Sequence, residues 1–382
     1  MKSIIHNLRK ELHQHPELSG EEAQTAHRIK SFINAHHHPT QWIDNAGGHG
    51  LLAVYDMAQP GPTIVIRCEL DALPIEEVNT FDYKSVVKGV SHKCGHDGHM
   101  AIVAGLIFRI KEQNFSSGKI VLLFQPAEET GRGGSAIVND PRFTALHPDY
   151  IFALHNIPGE PIHNIITVPN GFSSEVHSFA LYLKGKEAHS AEPERGINPA
   201  LAIAEITNAL PALNVPELTQ DNFTILVPVH ISLGDKAYGI SPGKGELHCT
   251  LRTWNDGTMK KVKQQLNEVI KTICQRHQLE YNMDWFEYFP ASNNDQQGNR
   301  YIKEAVTSCG YSITERPYPF KFGEDFGWFS KVYKSSMFGL GAGIDSPALH
   351  HADYDFPDEL IETGIDMFTA LIKQVIDHEP KS

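Results

Sequence analysis

Four short apolar runs, at 51–55, 63–67, 119–124 and 150–154, alternate with helix-patterned segments such as 100–110. That rhythm confines the first half of the chain to an α/β sheet with helices covering both faces. Three of the runs stop just short of a group with chemistry to offer: Asp71 after the second, Glu128 and Glu129 after the third, His155 after the fourth. Loops at the carboxyl ends of sheet strands are where such folds build their sites, so the spacing predicts one site fed by several strands. A chain of 382 residues also exceeds what one hydrophobic core ordinarily supports, and a second domain is expected.

The texture changes near Ser174. Strands are expected at 176–184, 223–233 and 246–254, a helix at 198–210, and a long helix from Thr258 whose Val262, Leu266, Val269, Ile270 and Ile273 form one apolar stripe. The order β-α-β-β-α-β is that of a ferredoxin-like α+β domain inserted into the larger one. The expected division is 1–173 with 282–382 for the larger, discontinuous domain and 174–281 for the insert. A helix at 300–309, a strand at 335–341 and a closing helix at 358–375 would complete the mixed sheet. Ser19, with Glu22 three residues on, reads as the N-cap of a helix running toward Ala35, and His36, His37 and His38 as the cap at its other end.

Charge narrows the partners. With 33 Lys and Arg against 46 Asp and Glu, the net −13 disfavours nucleic acid and anionic membranes, both of which reward basic surfaces. The five cysteines are scattered and odd in number, as expected in a reducing compartment. No segment approaches eighteen apolar residues, and the first ten residues turn charged before an apolar stretch develops, so a cytoplasmic protein is expected.

The densest chemistry lies in Ser91-His92-Lys93-Cys94-Gly95-His96-Asp97-Gly98-His99, which packs a thiol, imidazoles and a carboxylate into a glycine-containing loop. Sulfur and imidazole are the donors preferred by zinc and its first-row neighbours. A hydrolase with two metal ions needs donors for both, a water activated between them, and a carboxylate to carry its proton. Cys94, His96, Glu129, His155 and the distant His350 are the candidate metal donors, and Glu128 is the candidate acid and base. Gly339-Leu340-Gly341-Ala342-Gly343 has dinucleotide-like spacing, but Pro347 blocks an immediate helix; phosphate-loop and serine-hydrolase motifs do not occur.

Seven segments in order carry a resemblance: 8–19, Arg67-Cys68-Glu69-Leu70-Asp71-Ala72-Leu73-Pro74, 92–99, Phe124-Gln125-Pro126-Ala127-Glu128-Glu129, Leu154-His155-Asn156, Gly323-Glu324-Asp325-Phe326 and Leu349-His350. Together they resemble the aminoacylase and hippurate or indoleacetyl-amino-acid hydrolase branch of the di-zinc carboxypeptidase superfamily of metallopeptidases, over nearly the whole chain. The resemblance implies two divalent ions held by Cys94, His96, Glu129, His155 and His350, with zinc the best match and manganese, cobalt or nickel able to take the same donors. It implies Glu128 as the acid and base and Asp71 as a supporting carboxylate. The inserted domain would be a lid that pairs two chains edge to edge. Within it, Lys184-Gly185-Lys186-Glu187-Ala188-His189 resembles the segment whose histidine stabilises the oxyanion, and Arg252 resembles the arginine that pairs the substrate carboxylate.

Two departures stand out. Gly239-Ile240-Ser241-Pro242 replaces a run in which the family usually carries an asparagine that helps hold the substrate carboxylate, and Glu69 sets a longer carboxylate beside the metals. The expected activity is removal of an N-acyl group from an amino acid or similar amine through a water bridging the two ions. A dipeptidase or carboxypeptidase acting on short peptides is the nearest rival, and a metal-binding protein without turnover is the rival from another class.

Overall fold

The computed structural model describes residues 2–57, 59–113 and 115–379. It divides into a larger unit, Met1–Phe172 with Ser292–Pro319 and Glu324–Ser382, and a smaller one, Ser173–Ala291 with Phe320–Gly323. The larger unit begins with α1 (Lys2–Gln14), α2 (Ala23–His36), β1 (Gln41–Ala46), β2 (Gly50–Asp56), β3 (Thr63–Glu69), α3 (His96–Gln113) and β4 (Lys119–Gln125). It continues through the short α4 (Gly133–Val138) and α5 (Pro141–Thr144) to β5 (Tyr150–Ile157) and β6 (Ile165–Thr167). The smaller unit holds β7 (Glu175–Lys184), β8 (Ala188–His189), α6 (Ala200–Ala209), β9 (Thr224–Leu233), β10 (Ile240–Ser241), β11 (Lys244–Thr253), α7 (Asp256–Arg276) and β12 (Glu280–Phe289). The chain returns with α8 (Gln296–Cys309), β13 (Ile313–Glu315), α9 (Gly327–Ser330), β14 (Ser335–Gly341) and α10 (Leu360–His378).

The large sheet has the order β1-β2-β4-β3-β5-β14-β6-β13. Its central β4, β3, β5 and β14 run parallel, so their carboxyl ends open along one edge. β1 and β2 add an antiparallel flank. Every residue of β3, β5 and β14 is buried, the signature of strands covered on both faces. Ile64, Ile66, Leu122, Phe124, Phe152, Leu154, Phe338 and Leu340 pack with Leu106 and Ile107 of α3 and Ile365 and Phe368 of α10 into one apolar cluster. Each such side chain contributes about 1.5–3 kcal/mol on burial, which makes this layer the rigid base from which the loops project.

In the smaller unit β12, β7, β11 and β9 form an antiparallel sheet in that order. Phe179, Leu181, Leu247 and Leu251 pack on one face against Ile203 and Ile206 of α6 and Val262, Leu266 and Ile270 of α7. The larger domain does not resume at 282: Tyr281 and Met283 of β12 pair with Leu183 and Leu181 of β7, and the return begins at Ser292. β12 is largely exposed and so lacks the apolar alternation that would mark it in the sequence.

At the other end of the chain, Ser19 does not cap α2. The residue preceding that helix is Glu22, and the Ser19 hydroxyl donates instead to Asp71 Oδ2 at 2.6 Å. The histidine cap is present, with His36 Nδ1 donating to the Phe32 carbonyl at 2.8 Å. Among the described residues no helix is long and apolar enough to cross a membrane.

Candidate metal centre

The candidate donors come from several elements that meet at the carboxyl edge of the sheet. Asp71 lies two residues beyond β3; Glu128 and Glu129 follow β4 through Pro126 and Ala127; His350 is reached by the loop after β14. His155 sits inside β5 rather than just past it. Cys94 and His96 flank Gly95 at the start of α3, where Gly95 has φ +91° and a side chain would fall 2.7 Å from the Asn156 amide oxygen. Glycine is therefore required to fold the loop this tightly. Ala127 at φ +52° and His350 at φ +67° hold left-handed backbone without that freedom, a strain of order 1–3 kcal/mol each that the packed surroundings must sustain.

The donors converge. Cys94 Sγ lies 3.5 Å from His155 Nε2, and His96 Nε2 lies 3.9 Å from both Glu128 Oε2 and Glu129 Oε1. Donor atoms of Cys94, His96 and His155 fall within 4.8 Å of one another, as do those of Cys94, Glu129 and His350, and those of His96, Glu128 and Glu129. Cys94, His96 and Glu129 each belong to two of these three groups, so the candidate donors form one connected cluster. His96 Nδ1 donates to the Asp71 carbonyl at 2.8 Å, which leaves the Nε2 lone pair aimed into the cluster. His96 Nε2 and Glu129 Oε1 are buried with no hydrogen-bond partner among the described residues, a costly state for a neutral interior and an apt one for a cation. Asp71 Oδ2 accepts from Ser19 Oγ and, at 2.9 Å, from Glu129 N–H.

Electrostatics agree with the donor geometry. Burial raises the Cys94 thiol well above its ordinary value, and Glu129 and Glu128 beside it push it further. Burial likewise raises Glu128, with Glu324 and Glu129 adding to the effect. Burial pushes His155 down to about 3, helped by His99, and lowers His350. Burial opposes charging His96 too, but Glu69, Glu129 and Asp71 outweigh it and raise its pKa. The thiol of Cys94 and the carboxyl of Glu128 hold their protons tightly here, while the His155 and His350 rings stay neutral with a lone pair to offer; divalent ions are the counter-charge that would displace those protons and accept those lone pairs.

Behind the donors lies a set of buried polar contacts that local sequence does not show. Glu69 is not free beside the donors: one oxygen meets Arg67, the other lies 2.7 Å from His99 Nδ1, and His99 Nε2 lies 2.6 Å from Asn156 Oδ1. Arg67, fully buried, also donates to Asp325 at 2.7 Å and to Gln125 at 2.9 Å. The available signal was a lone arginine in an apolar strand, a buried charge that must find acidic partners.

His189 and Arg252 belong to the smaller unit. His189 is exposed on β8, which pairs with β10, and its Nδ1 accepts from Ala191 N–H at 3.0 Å. Arg252 is partly buried on β11, with its pKa lowered by burial, and donates to the Lys321 carbonyl at 2.9 Å.

The sequence model for peptidase family M20/M25/M40 matches residues 65–374, which spans the inserted unit and every donor named above. The chain belongs to this family. Among curated M20 relatives, an N-acetyl-L-cysteine deacetylase of Bacillus subtilis (strain 168) is 29% identical over 382 residues, all of this chain and 90% of that protein. An N-acetylcysteine deacetylase of the same organism is 25% identical over 372 residues, 97% of this chain and 96% of that protein. A crystal structure from Bacillus subtilis, described as a dinuclear metal-binding peptidase of the M20 family, superposes with TM-score 0.84 at 24% identity, covering 98% of each chain. That likeness shows the fold of this M20 chain, a large mixed sheet flanked by helices.

Proposed function

We propose that this M20-family chain is a metal-dependent amidohydrolase that removes an N-acyl group from an amino acid or a similar amine. The observation that carries the reading is the pair of buried, unpartnered donor atoms, His96 Nε2 and Glu129 Oε1, beside a second carboxylate, Glu128, whose Oε2 faces the same cluster. The deacetylase names of two relatives support the acyl-amine substrate class.

Two divalent ions would be held by Cys94, His96, Glu129, His155 and His350, a sulfur, nitrogen and oxygen set that suits zinc best and also admits manganese, cobalt or nickel. When bound, such ions supply Lewis acidity that polarises an amide carbonyl and acidifies water. The protein's own residues do the rest. Glu128 Oε2 takes the proton of the attacking water and delivers it to the amine nitrogen as the C–N bond breaks. Asp71, held by Ser19, keeps His96 and the Glu129 backbone in register.

His189 accepts at Nδ1, so its neutral ring carries the proton on Nε2, a donor suited to the oxyanion. Arg252 offers a guanidinium fork for the substrate carboxylate. The smaller unit would then act as a lid, and its edge strand β9, with Val227, Val229, Ile231 and Leu233 exposed, supports pairing of two chains into a homodimer. The partner is a small N-acyl amino acid rather than a polymer or a membrane. The five free cysteines suit a cytoplasmic enzyme.

The test is hydrolysis of N-acyl amino acids and dipeptides by the metal-reconstituted enzyme and by Glu128→Gln. Activity confined to dipeptides would replace the acyl-amine substrate with a peptide one, and full metal content with no turnover would leave a metal-binding protein.

A further inference from the structure

The Gly323-Glu324-Asp325-Phe326 segment has no part in the chemistry above, yet Asp325 is fully buried at a junction of three elements. Its Oδ1 accepts from Arg67 of β3 at 2.7 Å and from Gln125 of β4 at 2.9 Å. Its Oδ2 accepts from Gln125 at 2.8 Å and from Gly134 N–H of α4 at 2.6 Å. Arg67 is itself fixed by Glu69, Glu324 and Gln125. The Asp325 backbone N–H, held in place by its own side chain, donates to Glu128 Oε1 at 3.3 Å. Glu128 is thus gripped by one oxygen while the other, Oε2, faces the donor cluster. Gly134 makes the approach possible, since a side chain there would meet the Asp325 carbonyl at 2.6 Å.

We propose that Asp325 is a positioning residue for Glu128: its carboxylate locks the 324–326 turn between β3, β4 and α4 so that its backbone amide holds the Glu128 carboxylate in the orientation that presents Oε2 to the reacting water. The claim rests on the reading of Glu128 as the proton carrier. Rotating that carboxylate moves Oε2 by an ångström or more, and misplacement on that scale costs on the order of 100-fold in rate. Binding of substrate does not pass through Oε2, so the cost falls on kcat and not on KM.

The experiment compares metal-reconstituted wild type, Asp325→Ala, Asp325→Asn, Gly134→Ala and Glu128→Gln, with metal content and melting temperature recorded for each. Asp325→Ala is expected to lower kcat about 10–100-fold, with KM within about twofold and both ions retained. Asp325→Asn keeps one acceptor oxygen but turns an NH2 donor toward Arg67 or Gly134 N–H, so it is expected to recover only part of that loss, and Gly134→Ala is expected to reproduce it by displacing the turn. The proposal is overturned if Asp325→Ala, folded and fully loaded, turns over at the wild-type rate, or if its loss of rate follows loss of metal. Should Asp325→Ala fail to fold, the same two outcomes for Gly134→Ala decide the matter. An active Glu128→Gln would instead bring down the reading of Glu128 as the proton carrier, on which this proposal rests.

Discussion

His96 Nε2 and Glu129 Oε1 face each other across 3.9 Å, sealed from solvent, with no hydrogen-bond partner for either among the described residues. Two buried acceptors so placed repel unless a proton or a cation lies between them. The surrounding Cys94, His155 and His350 make a cation the better occupant, and the following expectations derive from that relationship.

Chelation should destabilise the protein as well as silence it. An ion that binds only the folded state at 100 times its dissociation constant adds about 2.7 kcal/mol, so treatment with a strong chelator should lower the melting temperature by about 5 °C or more. Re-addition of zinc should restore both activity and melting point. A melt unchanged by chelation would show that the cluster is stable without ions.

Of the three donor groups described above, Cys94, like His96 and Glu129, belongs to two, whereas His350 belongs to one. Cys94→Ala should therefore weaken both ions and bring bound metal well below one per chain. His350→Ala should leave one ion in place. Metal analysis of the two purified variants, run in parallel, reads the difference, and equal losses would refute the shared-donor geometry.

Ser19 supports Asp71 and does not cap α2. Ser19→Ala should lower activity by about 10-fold, in the range for residues that orient metal ligands through one intermediary. Ser19→Asp separates the two roles: it would be a good helix cap but sets a second carboxylate against Asp71, so it should be worse than alanine. Activity of the aspartate variant near wild type would restore the capping role.

His13 lies between Asp97 and Glu77, at 2.8 and 2.9 Å. Burial opposes its charge, but hydrogen bonds to the two carboxylates prevail and raise its pKa. A raised folded-state pKa gives stability that is complete below the unfolded value of about 6.5 and is lost as pH rises through the folded value. His13→Gln should thus cost more stability at pH 6 than at pH 9. Urea midpoints of both proteins in chelator at the two pH values test this, and a cost that grows with pH would contradict the sign.

Much of this architecture is legible in the chain because its central strands are short and largely apolar, and because most of the candidate donors sit in contiguous segments near their ends. β14 falls on the stretch 335–341 expected of it. What escaped the sequence depends on contacts between distant residues. Ser19 looked like a cap because its local pattern fits one; its true partner, Asp71, lies 52 residues away. Arg67 and Asp325 meet across 258 positions, and nothing local announces their pairing. β12 was missed for the opposite reason: it is held by backbone pairing with β7 and buries too few side chains to write a pattern.

The central claim is that Glu128 carries the proton in a metal-dependent cleavage of N-acyl amines. The most direct test is the rate of hydrolysis of an N-acetyl amino acid by wild type and by Glu128→Gln at equal, measured metal content. The account predicts turnover by wild type and a loss of about 100–10,000-fold in the variant, with both ions still bound. Comparable rates in the two proteins, or no turnover of any N-acyl amine by fully loaded wild type, would contradict it.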